Sequence, residues 1–194
     1  MTSRVLIVNG HPDGRPERFC TALADSYAAG AASAGHEVQR LDIARVQFAW
    51  LSKAEDFMTP PDQADIGRAQ ALFKWAQHIV FVYPLWLGSE PALLKGFMEQ
   101  LSRNGFAVSA EGNGFPKGKL TGRSARLVVT MGMPALFYRL LFGAHGVRAF
   151  ERSILRLAGF KPVRRSLLGG IDAAPAKRRE AWLEDMRRLG ARAG

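Results

Sequence analysis

Three short runs are apolar at every position: Val5 to Val8, Ile79 to Tyr83, and Leu127 to Val129. A strand with no alternation of apolar and polar residues has to be covered on both faces, which is the condition of central strands in a parallel sheet clad by helices. Two further β-rich runs, Glu37 to Leu41 and about Val163 to Leu168, bring the count to five, and the alternating first of these suits an edge. Between and around them apolar residues recur at helical spacing near 18–34, 62–77, 91–103 and 135–158, and a basic segment after 175 closes the chain. Strand and helix patterns in regular alternation predict an α/β three-layer sandwich: a five-stranded parallel sheet of order 2-1-3-4-5 with helices on both faces. The 194 residues, 47% apolar, suffice for one well-buried domain spanning 1–194.

In such sheets ligands lie beyond the carboxyl ends of the strands, at the switch point in strand order. The segments to inspect are therefore Asn9 to Arg18, Pro84 to Glu90, and Thr130 to Pro134. Two longer connections, 44–61 and 104–122, exceed the usual length of a structureless loop and are candidates for a lid, a subunit contact or simple mobility.

The first turn excludes several chemistries. "NGHPDGRPERFC" contains neither the glycine pattern of a dinucleotide-binding turn nor a Walker P-loop, and Asn9 and Pro84 stand where a phospho-accepting receiver needs acids. The four histidines (11, 36, 78, 145) form no HExxH pattern, no G-x-S-x-G elbow occurs, and a single cysteine, Cys20, allows no disulfide or thiolate metal site. No metal is expected. What remains is a turn whose backbone amides face the start of a helix, with His11, Arg15 and Arg18 close by, an arrangement suited to a phosphate or pyrophosphate. The alternative is that His11-Pro12 ends the strand and both arginines are solvated. The net charge of +10 favours anionic ligands in general. No run reaches the ~18–20 apolar residues of a membrane span; the amino terminus lacks the pattern of a secretory signal, and a cytoplasmic protein is expected.

The stretches "VLIVNGHPDGRPERFCTALADSY", "YPLWLGSEPALLKGFMEQ" and "TMGMPALFYRLLFGAHGVRAFERSILRLAGF" resemble, in that order, three signature segments of the flavodoxin-like NAD(P)H:quinone oxidoreductase family, the DT-diaphorase-like group. The resemblance spans about residues 4–170 and implies a flavodoxin-like fold. It implies that His11, Arg18, Phe19 and Cys20 surround the flavin phosphates, with Arg18 and Cys20 replacing the hydroxyl residue and asparagine usual beside the phenylalanine. Pro84, Leu85, Trp86 and Leu87 would lie along the flavin ring, and Thr130, Met131, Gly132 and Met133 would offer amides to its N1 and O2 side. Tyr138 and His145 match the family's tyrosine and histidine, which stabilise charge and transfer a proton. Each also has a plainer role: Cys20 as a small core residue, Trp86 as a core or interface aromatic, and His145 as the end of a helix.

The function so implied is ping-pong, two-electron reduction of a quinone or another small aromatic acceptor, with NAD(P)H as co-substrate and FAD, or alternatively FMN, as cofactor. A homodimer is expected, with loop 44–61 and its Phe48, Trp50 and Phe57 either completing the partner's site or packing within the monomer. An alternative is a regulatory flavoprotein subunit that binds a membrane transport system. Nucleic-acid binding through the basic surface finds no recognised motif, and a one-electron carrier sits poorly with a basic chain.

Overall fold

The computed structural model describes residues 2–109 and 116–193. β1 (Arg4–Asn9), β2 (Glu37–Asp42), β3 (His78–Pro84), β6 (Ser124–Met131) and β7 (Val163–Gly169) form one sheet in the order β2-β1-β3-β6-β7, every neighbouring pair parallel. Counted within that sheet, this is the expected order 2-1-3-4-5. A short antiparallel pair, β4 (Val108–Ser109) with β5 (Lys117–Gly118), lies inside the connection 104–122; residues 110–115 of that expected loop fall outside the described residues.

The period of two along the strands assigns each face its own core. Leu6, Val8, Phe81, Leu127 and Val129 point toward α2 (Ala64–Trp75) and α3 (Ala92–Leu101), meeting Phe73 and Phe97. Val5, Ile7, Val80, Val82 and Val128 point the other way, toward α1 (Phe19–Ser33) and α6 (Ala176–Arg192). These two helices cross at a pair of glycines: a side chain on Gly30 would strike the Arg187 carbonyl, and one on Gly190 the Tyr27 carbonyl. Backbones can approach this closely only where Cβ is absent.

Three features differ from the sequence expectation. The helix anticipated over 135–158 is broken into α4 (Ala135–Leu141) and α5 (His145–Ala149), the latter continuing as a π-helical segment, Phe150–Arg156. The break falls at Gly143 and Ala144, which take left-handed φ of 56° and 51° and cannot continue a right-handed helix. β6 begins at Ser124, three residues before the apolar run, because Arg126, although 7% exposed, holds a place in the strand and bonds Ser166 Oγ at 2.8 Å. Connection 44–61 is not structureless: it contains 3-10 turns at Ile43–Arg45 and Ala54–Met58. Arg103 binds it through the Asp56 carbonyl (2.8 Å) and Thr59 Oγ1 (2.6 Å), while Phe48 packs on Phe97 and Trp50 lies over Gly96.

The amino-terminal end of the sheet carries a buried polar cluster. His78 Nδ1 pairs with Ser124 Oγ at 2.7 Å and its Nε2 with Tyr27 Oη at 3.0 Å. Among the described residues no helix is long and apolar enough to cross a membrane, and no group of three His, Cys, Asp or Glu is placed to hold a metal ion.

Candidate active site

Strand register brings the three turns together. Asn9 lies beside Val82, Pro84 beside Thr130, and Met131 beside Gly169, so β1, β3 and β6 end in adjacent positions at one edge of the sheet. Gly10 donates to the Val82 carbonyl at 2.7 Å, and Leu85 to that of Thr130 at 2.7 Å, which ties each turn to the next.

Asn9 organises the first turn. Buried at the end of β1, it accepts from the His11 amide with Oδ1 (3.2 Å) and donates from Nδ2 to Thr21 Oγ1 (3.3 Å) on α1. His11 accepts from the Asp13 amide at Nδ1 (3.0 Å), and its ring stands edge-on to Trp86 with centroids 6.1 Å apart. Burial, then the positive charge of Arg18, lowers the His11 pKa below its ordinary value, so the ring is neutral at physiological pH. Asp13 binds both Arg15 and Arg18, and these hydrogen bonds hold its carboxyl well below the usual carboxylate range. Arg18 is thus already paired, a partnership the sequence did not reveal.

At the start of α1 backbone replaces side chains. Arg18, the N-cap residue, makes no capping bond with its side chain. Thr21 and Ala22 donate to the Arg18 carbonyl, and among the described residues the amides of Phe19 and Cys20 find no acceptor. Two orphan donors with the positive end of the helix dipole are an arrangement that favours an anion. The Cys20 thiol is not part of it: it is 2% exposed, 3.4 Å from Thr130 Oγ1, and burial pushes its pKa up to about 11. Cys20 therefore offers its amide and not its sulfur, and the plainer role as a core residue is the observed one.

The second turn redistributes its donors. Leu85 and Trp86 spend their amides on Thr130 and Ser89, and it is the amides of Leu87 and Gly88, two residues further on, that lack acceptors among the described residues. Leu87 and Gly88 adopt left-handed φ of 49° and 82°, and the Leu87 side chain is fully exposed, as is about half of Trp86. In the third turn Thr130 and Met131 are buried strand residues, whereas the amides of the exposed Gly132 and Met133 have no acceptor among the described residues. The Asp172 carboxylate lies so close to Gly132 that a side chain there would meet Oδ2 at 2.5 Å.

Tyr138 is 1% exposed; its hydroxyl donates to the Gly88 carbonyl at 2.8 Å and accepts from the Val147 amide at 3.4 Å. The side chain braces the second turn from α4. His145 is exposed at the start of α5, and Gly146 beside it touches the Gly88 and Ser89 backbone so closely that no side chain would fit. That contact explains the break between α4 and α5: the turn at Gly143 and Ala144 re-aims the chain so that α5 meets the second turn end-on.

The sequence reading missed Asn9 as an organiser, Asp172, and a cluster from α6. Phe19 and Trp182 pack at 6.0 Å, the Arg178 guanidinium lies 4.8 Å over Trp182, and that of Arg179 lies 5.4 Å over Phe19. Arg179 is fixed by the Ile171 carbonyl at 2.7 Å. The sequence marked this region only as a basic segment after 175, and nothing local showed that the first turn of α6 reaches the amino-terminal end of α1.

A family described as having a flavodoxin-like fold matches residues 3–192. The ribosyldihydronicotinamide dehydrogenase-like protein traD of Penicillium crustosum is 29% identical over 155 residues, 66% of this chain and 57% of its own length. The glutathione-regulated potassium-efflux system ancillary protein KefG of Escherichia coli is 41% identical over 75 residues, 39% of this chain and 38% of its own. The matched region is thus about half or less of these relatives. The NAD(P)H:quinone oxidoreductase of Methanothermobacter marburgensis superposes with a TM-score of 0.85 at 23% identity, covering 100% of both chains.

Proposed function

The chain belongs to the flavodoxin-like fold family, and from that premise we propose that it is a flavoenzyme that uses NAD(P)H to reduce quinones or similar flat acceptors by two electrons. One observation carries this: among the described residues three pairs of amides without an acceptor, at Phe19-Cys20, Leu87-Gly88 and Gly132-Met133, lie in the connections that follow three adjacent strands. The first pair, at a helix start, suits a phosphate; the other two, beside Trp86 and Met133, suit the polar edges of a flat ring with apolar faces.

A flavin held here would supply two-electron redox chemistry between NAD(P)H and the acceptor. The Gly132 and Met133 amides stabilise negative charge on the edge of the ring they face, because fixed dipoles need no reorganisation during reaction. Tyr138 keeps the Leu87-Gly88 amides in place through its bond to Gly88. His145, exposed at the rim, delivers a proton to the acceptor. Phe19 and Trp182, packed at a tilt, and their two arginines offer a platform for an adenine ring and favour FAD over FMN. The exposed stripe of Phe137, Leu140, Leu141 and Phe142 gives a second copy of the chain an apolar surface, which supports a homodimer as the active form; this reading places it in the cytoplasm.

The test is anaerobic spectroscopy of the purified protein loaded with FAD and, separately, FMN. We expect the visible flavin bands to bleach on addition of NADPH and return with a benzoquinone, with the tighter-bound flavin being FAD. Failure of both flavins to bind would refute the proposal. A second reading, a regulatory subunit of a transport system, is favoured by the KefG match alone; it predicts slow turnover with every quinone and co-purification with a membrane protein.

A further inference from the structure

A cleft of about 420 Å³ opens between α4, α5 and β7, floored by Ala135, Ala144 and Leu167 and ringed by Arg139, Arg148 and Arg165. We propose that this cleft binds the 2′-phosphate of NADPH, which makes NADPH rather than NADH the reductant; the proposal rests on the flavoenzyme reading above.

Each of the three arginines comes from a different element, and among the described residues no carboxylate lines the cleft. Among the described residues the side chains of Arg139 and Arg148 make no ion pair or hydrogen bond. Arg165 reaches Glu151 at 3.1 Å, but that buried carboxylate is shared with Arg156 at 2.6 Å. Unneutralised like charges gathered in one concavity repel one another, and an anion seated there removes the cost. Guanidinium forks match phosphate oxygens two at a time, which makes arginine suited to a phosphomonoester. The volume falls in the usual range of small-molecule sites, about 300–1,000 Å³.

Position connects the cleft to the reaction. Ala135 opens α4 immediately after the third turn, and its backbone packs against Gly169 so tightly that a side chain there would clash. Arg139 stands one helical turn further along, about 6 Å. Arg165 stands four residues before Gly169 on β7, about 13 Å down the strand. A pyrophosphate-linked dinucleotide whose nicotinamide lies at the third turn spans that interval. On α4 the exposed Phe137 and Leu141, four residues apart, face the side opposite Ala135 and Arg139, so a partner seated on that pair leaves Arg139 accessible.

The experiment compares wild type with R139Q and R148Q, both at exposed positions where folding is not at stake. Steady-state kcat/KM is measured with NADPH and with NADH on the flavin-loaded protein, and calorimetry measures 2′,5′-ADP against 5′-ADP. We expect wild type to favour NADPH by tenfold or more. Each variant should lose about tenfold of that preference, mainly through KM for NADPH, as the loss of one charge-assisted contact implies. 2′,5′-ADP should bind wild type more tightly than 5′-ADP and lose that advantage in the variants. Wild type that treats the two reductants alike, or a preference that survives both substitutions, overturns the proposal. If no flavin loads, the flavoenzyme reading is what fails; calorimetry on the flavin-free protein still decides the cleft, since equal affinity for the two adenosine phosphates overturns it.

Discussion

Lowering the pH should destabilise this protein in part through one residue remote from its candidate site, His78. His78 is 2% exposed at the start of β3, bonded to Tyr27 and Ser124. Burial, then the nearby charges of Arg126, Arg164 and His36, lowers its pKa from 6.5 to about 4. The folded state therefore holds the ring neutral while the unfolded chain takes up a proton near pH 6.5. Stability is whole above that value, declines as pH falls from 6.5 toward 4, and levels off below. At about 1.4 kcal/mol per pH unit, the full loss is about 3 kcal/mol, a large part of a typical domain's ~5–15 kcal/mol. Urea unfolding followed by tryptophan fluorescence at intervals from pH 7.5 to 4.5 measures it. Other acid-titrating groups contribute to the same curve, so the quantity to plot is wild type minus His78→Asn, with His78→Gln as a second reference. Wild type should lose its advantage over both variants across this window. Curves that stay parallel from pH 7.5 to 4.5 would show that His78 does not titrate as its surroundings require.

Three further outcomes are expected. Tyr138→Phe leaves the Gly88 carbonyl and Val147 amide without their partner and should cost about 1–3 kcal/mol, with weaker flavin retention than that stability loss alone produces in a distant control variant. Cys20 should resist iodoacetamide at pH 8 in the folded protein and react fully in denaturant, because the thiol is buried and titrates only at about 11; labelling of the native state would contradict the burial. Gly190→Ala drives a methyl group into the Tyr27 carbonyl and should destabilise by about 1–3 kcal/mol, lowering the melting temperature by about 2–4 °C per kcal/mol while leaving the flavin spectrum of the bound form unchanged.

The central strands were legible because burial on both faces leaves an unbroken apolar run, as at Val5 to Val8 and Ile79 to Tyr83. β6 was read short because Ser124 and Arg126 interrupt that run; their partners, His78 and Ser166, lie on neighbouring strands and no local pattern announces them. The break after α4 had a signal in Gly143 and Gly146, yet a single glycine inside a helical pattern is tolerated often enough that the apolar period carried across it. Loop 44–61 looked unsupported because its main support, Arg103, is more than forty residues away from its acceptors in sequence. At the candidate site, the three turns could be located from strand ends alone. Which donors are spent and which are spare could not, since that depends on register: Leu85 pairs with Thr130 only because β3 and β6 end side by side.

The second and third turns are also joined mechanically. Leu85 is bonded to Thr130, the Tyr138 hydroxyl to Gly88, and Gly146 rests on the same Gly88 and Ser89 backbone. Neither turn can swing outward alone without breaking a buried hydrogen bond. Local opening at this edge of the sheet is thus a concerted event with one barrier, and the amides of Leu87, Gly88, Gly132 and Met133 should enter and leave their working geometry together, as a single gate.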